Sequence, residues 1–148
     1  MTTRPSGGDP GYRSSLERAL GAQLLGAAVD FEYESLVVPY TQPAKERRYT
    51  PDFVLHNGII IEAKGQFTSA DRQKHLMVRE SWPSLDIRFV FSRSSTRISK
   101  RSKTTYALWC DTKGFAFADK VIPAAWLRQR PNPVAMEALQ VLRIVNRR

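Results

Sequence analysis

The sequence predicts a mixed α/β (α+β) domain in which helices flank one central sheet. Three observations indicate this fold class: helical and strand-like segments are interspersed, no segment is repeated, and 42% hydrophobic with 25% charged residues is typical of a globular domain. A chain of 148 residues has the length of one such domain with tails. We therefore expect a flexible tail at residues 1–13, a folded domain at 14–128 and a basic extension at 129–148.

The first helix is predicted to begin at Ser14. The sequence Ser-Ser-Leu-Glu has the spacing of a capping box, in which Ser14 is the N-cap and Glu17 its partner at the third helical position. Leu16, Leu20 and Leu24 follow at the spacing of one helix face. This helix is therefore expected to pack one apolar side against the sheet.

Three strands are predicted to follow the first helix. Residues 31–40 are rich in aromatic and β-branched side chains, which favours a strand, and residues 50–55 read as a second. Asn57 and Gly58 are the residues preferred in a two-residue hairpin turn. The third strand opens at Ile59 with three consecutive isoleucines, so it is expected to lie in the middle of the sheet.

The register of this hairpin decides which polar side chains share a face of the sheet. A two-residue turn pairs Asp52 with Ala63 and places Asp52 on the face opposite to Glu62 and Lys64. A one-residue bulge would move Asp52 onto the face of Glu62 and Lys64. The residues alone leave both arrangements open.

The remaining elements complete the alternation of helices and strands. They are a helix capped by Thr68 that runs to about Trp82, a strand at 87–91, a helix at 106–110 that ends near Gly114, an extended segment at 115–121, a short helix at 123–126 and an amphipathic segment at 136–145 that suits a terminal helix.

The composition excludes several classes of protein. No run of about 18 apolar residues is present, so we expect no membrane-spanning segment. The N-terminal residues lack the apolar stretch of a secretory signal, so we expect a cytoplasmic location. The single cysteine, Cys110, excludes an intrachain disulfide framework and a thiolate zinc cluster, and we expect it to be buried.

The net charge of +9 indicates a polyanionic partner, with nucleic acid as the leading candidate. Basic residues occur in three clusters, two of which we predict to contact DNA phosphates together with neighbouring hydroxyl groups. These two comprise Lys45, Arg47 and Arg48, and Arg93, Arg97, Lys100, Arg101 and Lys103; the third is the arginine-rich segment 128–148. The alternative for any single cluster is a solvated loop whose charge only aids solubility.

Two carboxylates and one ammonium are expected at one end of the central sheet, from Asp52, Glu62 and Lys64. Close carboxylates repel unless a cation lies between them, and oxygen ligands suit hard ions such as Mg²⁺ or Mn²⁺. The backbone carbonyl of Ala63 offers a further hard ligand. The alternative is a surface ion pair of Glu62 and Lys64 with Asp52 as a turn residue.

The spacing of Pro51-Asp52 and Glu62-Ala63-Lys64 resembles the signature of the PD-(D/E)XK nuclease superfamily. Longer segments over residues 12–128 resemble the bacteriophage endonuclease I family of Holliday-junction-resolving enzymes. The clearest are residues 31–34, 38–40, 49–53, 71–76, 79–80, 85–88, 90–92, 117–120 and 122–124. The resemblance implies a nuclease-like mixed sheet flanked by helices and a Mg²⁺- or Mn²⁺-dependent endodeoxyribonuclease that resolves branched double-stranded DNA, chiefly four-way junctions.

The resemblance also implies the roles of four residues. Asp52, Glu62 and Lys64 match the metal-binding and catalytic positions of the family, and Glu17 matches an additional catalytic, metal-binding glutamate. For Glu17 the alternative is a purely structural role as the capping partner of Ser14.

Four further residues are candidates for DNA contact. Arg13 precedes the first helix, close to Glu17. Arg72, His75 and Arg79 share one face of the helix that follows Thr68 and could touch phosphates, although a solvated face is equally compatible with their spacing.

The family resemblance further implies a domain-exchanged homodimer. Residues 39–49 would cross between subunits, and each active site would join Glu17 of one chain to Asp52, Glu62 and Lys64 of the other. Pro39 and Pro43 agree with this because proline disfavours folding back into a tight hairpin. Two other functions stay open, namely a restriction- or repair-type nuclease of the same superfamily and a non-catalytic junction-binding protein.

Overall fold

Five helices and seven strands are present in residues 10–42 and 45–147, the part of the chain that the computed structural model describes. In chain order they are α1 (Ser15–Gly26), β1 (Phe31–Tyr33), β2 (Val38–Gln42), β3 (Lys45–Tyr49), β4 (Phe53–Leu55), β5 (Ile59–Lys64), α2 (Ser69–Ser81), β6 (Asp86–Phe91), α3 (Tyr106–Lys113), β7 (Phe117–Asp119), α4 (Ala124–Leu127) and α5 (Pro133–Asn146).

A mixed five-stranded sheet with the spatial order β1-β4-β5-β6-β7 forms the centre of the fold. Strands β1, β4 and β5 are antiparallel, whereas β5, β6 and β7 are parallel. The three isoleucines at 59–61 are almost completely buried, as their apolar run predicts for a central strand. One face packs with α1, and the other packs with α2, α3 and α5. The predicted mixed α+β fold with helices flanking one sheet is therefore confirmed.

The predicted helix boundaries agree closely with the structure where local capping residues mark them. Ser14 caps α1, and Thr68 and Asp71 form a complete capping box at the start of α2. Gly114 ends α3 in the left-handed conformation, with φ of 80°. The terminal segment is also helical, as its amphipathic spacing predicts. Helix α5 buries Leu139 completely and belongs to the core.

The β4–β5 hairpin is offset by one residue from the ideal two-residue turn, so of the two arrangements that the sequence left open the structure has the one with Asp52 and Glu62 on the same face. Phe53 pairs with Ile61 and Val54 with Ile60, so three residues rather than two connect the strands. Gly58 occupies the extra position with φ of 93°, a conformation that glycine adopts without steric cost. The offset places Asp52 on the face of Glu62, as a bulge would have done.

The prediction of one strand over 31–40 is also wrong. Glu34 adopts a left-handed conformation with φ of 47°, and the chain breaks there into β1 and β2. Strand β2 pairs with β3 in a separate antiparallel ribbon, from Val38 opposite Tyr49 to Gln42 opposite Lys45. The expectation that prolines disfavour a hairpin here is thus incorrect, because Pro39 lies in a ribbon made entirely of edge strands, where proline is tolerated. The second proline of that argument, Pro43, is outside the described residues.

Candidate active site

A polar cleft of about 490 Å³ lies at the end of the central strands, where β5 leaves the buried part of the sheet. All four predicted catalytic residues line it, and Ala63 and Arg13 lie along its wall. Glu17 comes from α1, Asp52 from the segment before β4, and Glu62 and Lys64 from β5. The sheet therefore brings together residues that are far apart in the sequence.

Glu62, which is buried, and Asp52, which is partly buried, form the acidic centre of this cleft. The backbone N–H of Ala63 donates to Asp52 Oδ2 at 2.9 Å, which fixes the carboxylate beside β5. Burial raises the pKa of Asp52, and burial together with the charge of Asp52 raises the pKa of Glu62 well above its ordinary value. Two such carboxylates favour a bound cation, because a positive charge between them relieves both the burial cost and their repulsion.

Lys64 extends from the end of β5 toward the start of α2. Its ammonium lies 3.4 Å from Asp71 Oδ1, and both side chains are largely buried. Asp71 Oδ2 accepts the backbone N–H of Thr68 as part of the capping box. Burial alone would raise the pKa of Asp71, but Lys64 and the hydrogen bonds from Thr68 outweigh it and lower the pKa. The negative charge of Asp71 thus holds Lys64 at the edge of the cleft.

Glu17 is buried and points its carboxylate into the cleft rather than only toward its own helix terminus. The Tyr33 hydroxyl donates to Oε1 at 2.8 Å, and the Ser14 hydroxyl donates to Oε2 at 3.0 Å. The Ser14 side chain also accepts the backbone N–H of Glu17, so Ser14 caps the helix as predicted. The two roles considered for Glu17 are therefore geometrically compatible.

Glu34 is a candidate site residue that sequence reasoning missed. One carboxylate oxygen from each of Glu17, Glu34 and Asp52 lies within 4.8 Å of the others, a grouping that could hold a metal ion. The backbone N–H of Glu34 donates to the Asp52 carbonyl at 3.0 Å, and Arg13 Nε lies 3.1 Å from its carboxylate. Only the break in the strand at Glu34 turns its side chain toward the site, and no residue pattern signals that break.

The donor chemistry of the cleft suits Mg²⁺ or Mn²⁺. The acidic side chains that line the cleft offer carboxylate oxygens, the ligands that hard divalent ions prefer; they are Glu17, Glu34, Asp52 and Glu62. The backbone N–H of Ala63 donates to Asp52, and the backbone carbonyl of Ala63 is the atom predicted to bind the metal ion.

The prediction that His75 contacts DNA is wrong. Its side chain is completely buried between the rings of Tyr49 and Phe89, where no phosphate can reach it. Its Nε2 lies 3.9 Å from Glu62 Oε2, and burial lowers the pKa of the imidazole well below its ordinary value. His75 is therefore a neutral, buried residue that packs behind Glu62. Burial could not be read from the sequence because α2 carries polar residues on several faces.

The other two candidates on α2 are partly exposed and make intramolecular contacts. Arg72 donates to the Phe67 carbonyl at 2.7 Å. Arg79 donates to the Lys113 carbonyl and places its guanidinium 4.4 Å from the centre of the Phe115 ring. Their contact with DNA stays a prediction.

The basic residues of the two predicted DNA-binding clusters are all exposed. Those of the first lie on β3 in the β2–β3 ribbon, and those of the second lie in the loop between β6 and α3. Arg13 is also exposed, at the mouth of the cleft. These positions leave the side chains accessible to a phosphate backbone, and the DNA contacts themselves stay predictions.

The structure assembles Glu17, Asp52, Glu62 and Lys64 from a single chain. The implied arrangement, in which Glu17 comes from a different chain than the other three, is thus not needed to complete the cleft. The predicted crossing segment 39–49 lies in the β2–β3 ribbon of the same chain.

Comparison with known proteins identifies the family. The family model for phage endonuclease I matches residues 3–146, which extends the resemblance beyond residues 12–128 and includes α5. The chain belongs to the phage endonuclease I family. Endonuclease I of Escherichia phage T7 is 47% identical over 129 residues, with 87% of each chain covered. Endodeoxyribonuclease 1 of Enterobacteria phage T3 is 45% identical over 126 residues, which cover 85% of this chain and 83% of that protein.

Membership of the phage endonuclease I family agrees with an acidic cleft set in a basic protein. Asp52, Glu62, Ala63 and Lys64 of the segment 51–64 all line this cleft. Within the described residues, none of the helices has the length and apolar character needed to cross a membrane.

Proposed function

We propose that this endonuclease is a divalent-metal-dependent endodeoxyribonuclease that resolves four-way and other branched DNA junctions in the bacterial cytoplasm by paired phosphodiester hydrolysis. The observation that carries the proposal is the meeting of Asp52, Glu62, Lys64 and Glu17 in one cleft of a chain that belongs to the phage endonuclease I family. Paired cuts in opposite strands are the chemistry that converts a four-way junction into two duplexes.

Asp52 and Glu62 are the residues that would hold Mg²⁺ or Mn²⁺, with Glu17, Glu34 and the Ala63 carbonyl as further ligands. When bound, such an ion polarises the scissile phosphodiester and lowers the pKa of a water molecule. The protein contributes the placement of the carboxylates, which the Ala63 N–H and the hydroxyl of Tyr33 orient before substrate arrives. Preorganised ligands of this kind need little rearrangement during the reaction.

Lys64 supplies positive charge next to the reacting phosphate. Its ammonium stabilises the negative charge that develops on the phosphoryl oxygens during attack and orients the incoming water. Asp71 restricts where the ammonium can lie, so that it stays beside Glu62 and Asp52 instead of moving into solvent. The electrostatic role of Lys64 depends on this restriction.

Substrate recognition rests on the exposed basic clusters. The basic side chains on β3, those at 93–103 and Arg13 are exposed, so their positive charges can contact a bent phosphate backbone. Contacts of this type read DNA shape rather than base edges. The selectivity for junctions would therefore arise from the angle between duplex arms.

A homodimer would place two such clefts on one junction. The β2–β3 ribbon, which contains residues 39–49, is separate from the five-stranded sheet. Opening this ribbon would allow α1 and β1 to be exchanged between subunits while each β1 still pairs with a β4 strand. Such an exchange preserves the contact between Glu17 and Asp52 and only changes which chain supplies each.

The direct test is cleavage of a synthetic four-way junction and of a linear duplex with the same sequence, in Mg²⁺ and in EDTA. We expect paired cuts in the junction only, and only with Mg²⁺. Equal cleavage of both substrates would refute junction selectivity and favour another type of nuclease. Binding of the junction without cleavage by the intact protein would refute catalysis.

A Glu62→Ala variant separates cutting from binding. This variant is expected to bind the junction in Ca²⁺ or EDTA as the wild type does, because the basic clusters are unchanged, and to lose cleavage. Loss of binding would contradict the purely catalytic role of Glu62.

A further inference from the structure

The hydroxyl of Tyr49 contacts the buried acidic centre from behind. Tyr49 is the last residue of β3, and only 3% of its surface is exposed. Its hydroxyl donates to Glu62 Oε2, and Glu62 is itself only 3% exposed. Hydrogen bonds to a charged partner are stronger than neutral ones.

The neighbours of this hydrogen bond give Tyr49 little freedom to move. The ring of His75 packs edge-to-face against the Tyr49 ring, with 5.0 Å between the centroids. The backbone of Tyr49 is paired with Val38, and the ammonium of Lys74 lies 5.6 Å from the centre of the Tyr49 ring. His75 Nε2 is too far from Glu62 Oε2, at 3.9 Å, to replace the hydroxyl as a donor.

We propose that Tyr49 is a positioning residue that restrains one oxygen of Glu62, so that Glu62 offers its other oxygen to the metal ion. The inference rests on the proposed function, because it concerns the same metal site. Without the Tyr49 hydroxyl, the Glu62 carboxylate can rotate, and the ion must restrict that rotation when it binds. Hydrogen-bond partners of metal ligands typically change metal affinity or activity by about 10- to 100-fold when they are removed.

The test compares Tyr49→Phe with Tyr40→Phe. Both changes remove one hydroxyl from a buried ring of the β2–β3 ribbon, but only Tyr49 donates to Glu62. Mn²⁺ binding to the full chain is measured by isothermal titration calorimetry without DNA. We expect Tyr49→Phe to bind Mn²⁺ about 10- to 100-fold more weakly than the wild type and Tyr40→Phe to bind as the wild type does.

Activity provides a second readout. Cleavage by Tyr49→Phe at limiting Mn²⁺ is expected to fall and to recover as Mn²⁺ is raised, whereas the KM for the junction stays constant. In a Glu62→Gln background, Tyr49→Phe is expected to cause no further loss of Mn²⁺ binding, since the restrained carboxylate is already gone. A loss of affinity through general unfolding would instead appear in both backgrounds and in the far-UV circular dichroism of the metal-free protein.

The outcomes distinguish this inference from the proposed function. Equal Mn²⁺ affinity of Tyr49→Phe and the wild type would overturn the positioning role alone, and so would a further loss of binding in the Glu62→Gln background. If the wild type itself binds no Mn²⁺ and cuts the junction in EDTA, the proposed metal-dependent function fails, and the inference fails with it.

Discussion

The ammonium of Lys64 lies 3.4 Å from Asp71, the residue whose other carboxylate oxygen completes the N-terminal cap of α2. Asp71 thus links the first turn of a helix to a residue of the candidate active-site cleft. The two functions of this carboxylate can be separated by substitution, because an amide oxygen can still cap a helix but carries no charge.

Asp71→Asn is expected to lower the single-turnover cleavage rate of a four-way junction by about 10-fold or more, since Lys64 is no longer restrained by an opposite charge. Junction affinity should change little. The matched control is Thr68→Ala, which removes the other half of the capping box and costs about 1 kcal/mol of stability. Equal cleavage rates of the two variants at a temperature where both are folded would contradict the role of Asp71.

Glu62→Gln is expected to stabilise the metal-free protein at neutral pH. Burial and the charge of Asp52 raise the pKa of Glu62 in the folded state. Protonated Glu62 therefore stabilises the fold below the pKa that it has in the unfolded chain, and this contribution is lost as the pH rises through the folded-state pKa. Glutamine does not titrate, and the variant should have the higher unfolding temperature in EDTA at pH 7.5.

The difference between Glu62→Gln and the wild type should disappear at a pH below about 4, where glutamate is protonated in both the folded and the unfolded states. Mg²⁺ is expected to raise the unfolding temperature of the wild type only. Glu137→Gln, on the exposed side of α5, controls for the loss of one negative charge. A lower unfolding temperature for Glu62→Gln in EDTA would argue against a strained acidic centre.

His75 is expected to make the protein sensitive to mild acid. Its pKa is lowered in the folded state, so only the unfolded chain takes up a proton as pH falls below about 6.5. The contribution of His75 to the free energy of unfolding should therefore decrease by up to about 1.4 kcal/mol per pH unit below that point, until the folded-state pKa is reached, whereas the contribution of Glu62 changes in the opposite direction.

Chemical denaturation between pH 7 and 5 measures this effect. Relative to the wild type, His75→Leu should remove the part of the decrease that is due to His75, and His56→Gln, which replaces an exposed histidine of the β4–β5 turn, is the control. An unaltered slope in His75→Leu would assign the acid sensitivity to other groups.

Gly58→Ala is expected to destabilise the protein by about 1–2 kcal/mol, because φ of 93° is strained for any residue with a Cβ atom. The added methyl group would also lie 3.0 Å from the sulfur of Met136 in α5. Gly26→Ala is the control, since a Cβ atom at the end of α1 meets nothing within 4 Å. Denaturant titration of both variants checks the difference, and equal stability would contradict the requirement for glycine in the three-residue turn.

The sequence alone determined the features that depend on neighbouring residues. Ser14, Thr68 and Gly114 mark helix ends because capping involves hydrogen bonds within one turn. The apolar run at Ile59 identified the central strand, and the spacing of Asp52, Glu62 and Lys64 predicted that these residues lie together, as they do in one cleft. In each case the relevant partners lie within about a dozen positions along the chain.

Only the tertiary structure decided the hairpin register, the burial of His75 and the participation of Glu34. The Asn57 amide donates to the carbonyls of Trp126 and Gln129, so a distant segment holds the turn whose register the local pattern left open. That single residue brings Asp52 onto the face of Glu62 and makes the acidic centre possible. Such choices depend on contacts between segments far apart in sequence, whose energies exceed the small local preferences of a turn or strand.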